Sequence, residues 1–125
     1  MNTKYFDYIY IILTIVFTVY GQIILKWRIR DFGSLPVDFM DKIRFLISLL
    51  FDPGIFSGFF AGFLASLAWM SAMTKFELSH AYPFMSLNFV IVLLLSGLIF
   101  NEAVTINKVV GITLIVLGTI ISSHK

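Results

Sequence analysis

Thr18, Gln22 and Lys26 follow one another at four-residue intervals, which sets a hydroxyl, a carboxamide and an ammonium along one stripe of a helix. No catalytic constellation accompanies them, so what such a stripe can do is bind. An amide both donates and accepts hydrogen bonds, which suits Gln22 to sugar hydroxyls or phosphate oxygens, while Lys26 suits a phosphate at headgroup level. Packing against another helix is the competing reading of Gln22, and snorkelling combined with topology marking that of Lys26. Further along, Trp69 offers a ring that could stack on a sugar or prenyl unit, with core packing as its alternative. Tyr82 and Ser86 share a helix face, whereas Asn88 is expected to point elsewhere, toward a neighbouring helix. His80 and His124 stand too far apart for metal-ligand spacing, and the absence of cysteine rules out disulfides and thiolate sites. No metal, no cofactor and no enzyme activity are expected.

The elements that must position these groups lie in lipid. Of 125 residues 59% are hydrophobic and only 13% charged, with a mean hydropathy of +0.96. A soluble domain carries about 25% charged residues, and a small one has too little interior to hide so much Phe, Ile and Leu. The net charge of +2 is too weak to argue for a nucleic-acid partner.

Four spans are expected within a single four-helix membrane domain covering residues 1–125, at approximately 8–27, 54–74, 81–100 and 105–122. YIYIILTIVFTVYGQIIL, Tyr8 to Leu25, is long enough to cross a hydrocarbon core of roughly 30 Å. A polar connection broken by Gly33 and Pro36 leads to a short apolar segment at about 39–51. Asp38 and Asp41 stand at its start, and Ile43, Leu46, Leu49 and Leu50 fall on one face. It is too short to span, and reads either as an amphipathic helix lying along the interface or as an ordinary linker helix. In the second span Gly58 and Gly62, with Ala61, Ala65 and Ser66, form a small-residue side suited to helix packing. Pro83 is expected in the first turn of the third span, where it would start the helix and not kink it. Asn101 or Glu102 is expected to cap the fourth helix, although Glu102 could also meet an amino sugar or a lysine. Gly111 and Gly118, two turns apart, mark a flat stripe for a second subunit. Lys26, Arg28, Arg30, Lys42, Arg44 and Lys108 fall on one side, and Lys4, Lys75 and Lys125 on the other, which leans toward both termini outside.

No Asp, Glu, Lys or Arg lies in the middle of any span. Proton-coupled export of a cation needs an acidic group that substrate and proton can both occupy, so a neutral or lipid-linked polar substrate is the better expectation.

On GQIILK (Gly21 to Lys26), DPGIFSGF (Asp52 to Phe59), AYPFMSLNFV (Ala81 to Val90) and FNEAVTINKVVGITLIVLG (Phe100 to Gly118), the chain resembles the drug/metabolite transporter superfamily. The likeness is to its short four-helix, small multidrug resistance-like or EamA-like form. In the small multidrug resistance proteins an essential membrane glutamate would fall at Thr18 here. The chain is also similar to the small flippase subunits that move aminoarabinose attached to undecaprenyl phosphate, which look alike at GQxxxK, at AYPxxSLNFV and at the glutamate turn. That resemblance implies a bacterial inner-membrane protein acting as a homodimer or as a heterodimer with a similar four-helix chain. An undecaprenyl-phosphate-linked sugar would then cross through a polar groove while its prenyl tail stays in membrane lipid. Thr18, Gln22, Lys26, Trp69, Tyr82 and Ser86 are the residues expected along that path. The alternatives are a proton-coupled exporter of small organic cations and a non-transporting assembly subunit docking through its glycine stripes.

Overall fold

An uncharged run from Tyr8 to Leu25 leaves its backbone no hydrogen-bond partners in hydrocarbon except itself, and it forms one long helix, α1 (Thr3–Ile29). A 3-10 turn at Arg30–Phe32 closes it. The computed structural model describes residues 3–123, so His124 and Lys125 lie outside the described residues, as does the side chain of Lys4. Then follow α2 (Phe39–Leu50), α3 (Pro53–Met73), α4 (Leu78–Met85), α5 (Leu87–Ile99) and α6 (Ile106–Ser123). Among the described residues there is no strand. Four helical segments are long and apolar enough to cross a membrane: Phe6–Phe32, Pro53–Met73, Leu78–Ile99 and Ile106–Ser123. The fold is all-α, with four membrane-spanning segments and additional short helices.

The tightest packing joins α1 and α3. Gly58, Ala61, Ala65, Ala68 and Ala72 are the buried small residues of α3, spaced three and four apart along one stripe. At Gly21 and Gly58 the two backbones nearly touch. A Cβ on Gly21 would lie 3.1 Å from the Gly58 carbonyl oxygen, and one on Gly58 would lie 2.8 Å from Ile24 Cγ2 and 3.3 Å from the Gly21 carbonyl oxygen. Gly62 and Ser66 depart from the expectation of packing: they turn off the buried stripe, and a Cβ on Gly62 would meet nothing within 4 Å. Ala61 and Ala65 take the contact because they continue the three-and-four spacing from Gly58. Ile11, Ile15 and Val19 of α1 complete the core with Ala72 and Ala81.

The α3 start is tied down at one end of this pair. Asp52 adopts extended backbone and its side chain accepts a hydrogen bond from Ile55 N at 3.1 Å, with Pro53 at the first helical position. Arg28, at the end of α1, closes on the same carboxylate in a fork: Nε donates to Oδ2 at 2.9 Å and Nη2 to Oδ1 at 2.8 Å. The Arg28 hydrogen bond holds the Asp52 carboxyl below the usual carboxylate range, against the opposing effect of burial. Arg28 also reaches Asp31, at 3.3 Å.

The third span differs from its expectation. It begins earlier, at Leu78, with Glu77 in the capping position, so Pro83 sits inside α4 and not in a first turn. A proline there has no N–H to give the preceding turn, and the helix breaks at Ser86. The turn tightens instead: Ser86 N donates to the Pro83 carbonyl at 3.0 Å and Phe89 N to the Ser86 carbonyl at 3.0 Å, both three-residue bonds. The Ser86 hydroxyl donates to the same Pro83 carbonyl.

The fourth helix is not capped by Asn101 or Glu102. Thr105 does it, its Oγ1 accepting from Lys108 N at 3.2 Å, because α6 starts at Ile106 and a cap must directly precede the first helical residue. Asn101 instead turns the chain with a positive φ of 55°. Thr119 is the buried residue of α6, and its Oγ1 donates to Ser86 Oγ at 2.6 Å and lies 3.1 Å from the Pro83 carbonyl oxygen. No atom lies within 4 Å of a Cβ placed on Gly111 or Gly118, so this chain leaves their stripe uncovered. In α2 only Leu49 is buried, and its remaining large apolar residues are exposed or partly so.

Candidate functional site

A groove of about 780 Å³ runs between α1, α3 and the α4–α5 pair. Thr14, Gly58 and Ala65 are buried and form its floor, while Gln22, Phe59, Ser66, Met70, Tyr82 and Phe89 are exposed along its rim. Phe59, Ser66 and Met70 lie along the length of a membrane-crossing helix, so the groove opens sideways and not only at the ends of the bundle. Its walls are mainly apolar, and no lining residue carries a charge.

The polar groups of the groove divide into two sets. Thr14 Oγ1 donates to the Tyr10 carbonyl at 2.7 Å and Ser66 Oγ to the Gly62 carbonyl at 3.1 Å. The Ser86 hydroxyl is engaged by Pro83 and Thr119. Thr14 and Ser66 thus satisfy their own helices, and Ser86 is taken up within its turn and by α6. Thr18, Gln22, Trp69, Tyr82 and Asn88 make no side-chain hydrogen bond among the described residues, and each lines the groove. The Trp69 and Tyr82 rings meet edge to face, 5.9 Å between centroids. The free set is neutral, contains donors and acceptors in mixture, and sits in an apolar surround. It can hold a polar, uncharged group without offering a site for proton exchange.

Of the residues singled out in the sequence, the groove brings together Thr18, Gln22, Trp69, Tyr82, Ser86, Gly58 and Gly62. It leaves out Lys26, which continues the stripe one turn past Gln22 but is exposed beside Glu102, with Nζ 3.9 Å from Oε2. Glu102 is thus a partner for Lys26 and not a helix cap. Gly111 and Gly118 lie on α6, away from the groove lining.

Three features went unread in the sequence. The Arg28–Asp52 fork joins residues that are 24 apart, and no local pattern links them. At the opposite end Tyr8 Oη and His80 Nε2 are 2.9 Å apart, within a cluster of Tyr8, Phe76, His80 and Phe84 rings. Asn88 lines the groove between the helices, and its Oδ1 is buried with no hydrogen-bond partner. An amide isolated in an apolar run was the available signal.

The EamA-like transporter family model matches residues 6–124. Among curated relatives, the chain is 34% identical over 119 residues to a probable 4-amino-4-deoxy-L-arabinose-phosphoundecaprenol flippase subunit, ArnF, of Erwinia tasmaniensis, covering 86% of this chain and 87% of the relative. It is 28% identical over 109 residues to the corresponding ArnE subunit of Pseudomonas fluorescens, covering 86% and 88%. With ArnE of Aeromonas salmonicida it shares 27% over 115 residues, covering 92% and 95%. No solved structure matches the chain.

Proposed function

The chain belongs to the EamA-like transporter family, and from that premise we propose that it is a flippase-like subunit carrying a polyprenyl-phosphate-linked sugar across a bacterial inner membrane. The observation that carries the reading is the groove: neutral hydrogen-bonding groups left free in an apolar cleft that opens sideways. A sugar head can exchange its water for Thr18, Gln22, Trp69 and Tyr82, while the prenyl tail remains in lipid through the open side. Lys26, at the edge of the same stripe, is within the headgroup zone where a phosphate would pass. The obstacle that the path relieves is the high cost of a bare polar head group in hydrocarbon. No bond is made or broken.

A second four-helix chain completes the unit, either a copy of this one or a related subunit. The uncovered α6 stripe at Gly111 and Gly118 supports that pairing, as do relatives that carry two different subunit names. Proton-coupled cation export is disfavoured by the charge-free groove, with Thr18 where the exporters' glutamate would fall.

The test is a vesicle assay in which a polyprenyl-phosphate pentose starts in one leaflet and its appearance in the other is followed. The protein should accelerate transfer, and Gln22→Leu should slow it about tenfold, the equivalent of one lost hydrogen bond, with folding intact. No acceleration, with proton-dependent uptake of a quaternary amine in its place, overturns the proposal.

A further inference from the structure

Asn88 poses a problem that the rest of the groove does not. Thr18, Gln22 and Tyr82 have no partner in the chain, yet Gln22 and Tyr82 at least are exposed and can turn to their surroundings. The Asn88 carboxamide oxygen is shut away and accepts no hydrogen bond. Thr14 donates to Tyr10 and Ser86 is held by Pro83 and Thr119, and no hydroxyl of the described residues donates to Asn88. A buried carbonyl oxygen without a donor costs free energy that a ligand hydroxyl entering the groove can return.

The form of the group narrows what that ligand is. A carboxamide presents an acceptor and a donor side by side. An ammonium only donates and a phosphate oxygen only accepts, so either leaves half of the amide unmatched. Neighbouring hydroxyls on a sugar ring do both. We infer that Asn88 is a specificity-determining residue that recognises the hydroxyls of a sugar head group and so separates a sugar-bearing prenyl phosphate from a bare one. This rests on the flippase reading above and adds to it the groove residue that selects the cargo. Thr18 and Gln22 face the same space from α1 and hold the ring from the other side.

Two lipids test it in the same vesicles: a short polyprenyl-phosphate pentose and the identical polyprenyl phosphate without a sugar. Asn88→Leu should slow the pentose lipid about tenfold and the bare lipid by less than about twofold, the selectivity expected from losing contacts to hydroxyls alone. Its melting midpoint in detergent should not fall, since the variant removes an unsatisfied buried group. Asn88→Ala, which deletes the amide without filling the space, should give the same selectivity. Equal slowing of both lipids, or of neither, overturns the inference and leaves the flippase reading standing. So does a lowered midpoint with both rates reduced, which would make Asn88 a contact to the second subunit. If the wild-type protein moves neither lipid, alone or together with a related four-helix subunit, the flippase reading fails and the Asn88 assignment fails with it.

Discussion

The first and last spans are held by different means. α1 meets α3 along five buried small residues, with two glycine backbones in contact and a forked ion pair at one end. α6 is joined to α4 mainly through a single buried hydroxyl, Thr119, and leaves its glycine stripe open. Small residues allow van der Waals contact between backbones, and in lipid that contact is the main source of helix association. The α1–α3 pair is therefore packed within one chain, whereas this chain leaves the glycine stripe of α6 uncovered.

The strongest way to break the contrast is at the glycine contact. Gly58→Leu puts a branched side chain where even a Cβ would press on Ile24 and the Gly21 backbone. It should cost about 3 kcal/mol or more by overpacking, read as a lower detergent melting midpoint. Gly62→Ala, four residues on and facing open space, should leave that midpoint unchanged. If both variants melt alike, the tight crossing is not what holds the pair.

The fork gives an intermediate effect with a pH signature. The Asp52 pKa is lowered from 3.8 by its bond to Arg28, so the folded state favours the ionised form and the stabilisation is fully present at neutral pH. It is lost as the pH falls from that ordinary value through the depressed folded one. Arg28→Gln should lower the melting midpoint at pH 7, and the gap from wild type should close in that acid window. A gap that stays constant down through it would show that Arg28 acts by packing alone.

The smallest effects are expected on α6, where adjacent positions should part company. Thr119→Val removes the hydroxyl bonded to Ser86 and should cost about 1 kcal/mol in the isolated chain. Gly118→Ile should leave that chain's stability within about 0.5 kcal/mol, as surface substitutions do, yet weaken pairing as measured by crosslinking or energy transfer between labelled subunits. Unchanged pairing would remove α6 from the interface.

The spans themselves were legible because hydropathy over twenty residues is a strong signal, and the short helix ahead of the second span because Asp38 and Asp41 mark its start. The break at Ser86 was not. Pro83 in an apolar run fits either a helix start or an interior position, and what decides is the turn at Glu77, five residues before Tyr82 and inside a stretch that reads as loop. That misplacement hid Asn88 as well. On an unbroken helix Tyr82 and Asn88, six residues apart, fall on different faces; the tightened turn shifts the phase, and both reach one groove. Thr18 and Gln22 were readable because α1 has no such interruption. Thr105 as the cap was present in the sequence, but Glu102 drew attention through its charge, and a cap is decided by position.

Finally, α2 keeps Phe39, Met40, Leu46, Ile47 and Leu50 uncovered by the rest of the chain. That side is suited to the interfacial one of the two readings, a helix lying where acyl chains meet water. In that position, just ahead of Asp52, it would act as a buoy for the Arg28–Asp52 fork. Tilting of the bundle about that line would then be easy, and sliding through the bilayer would be resisted.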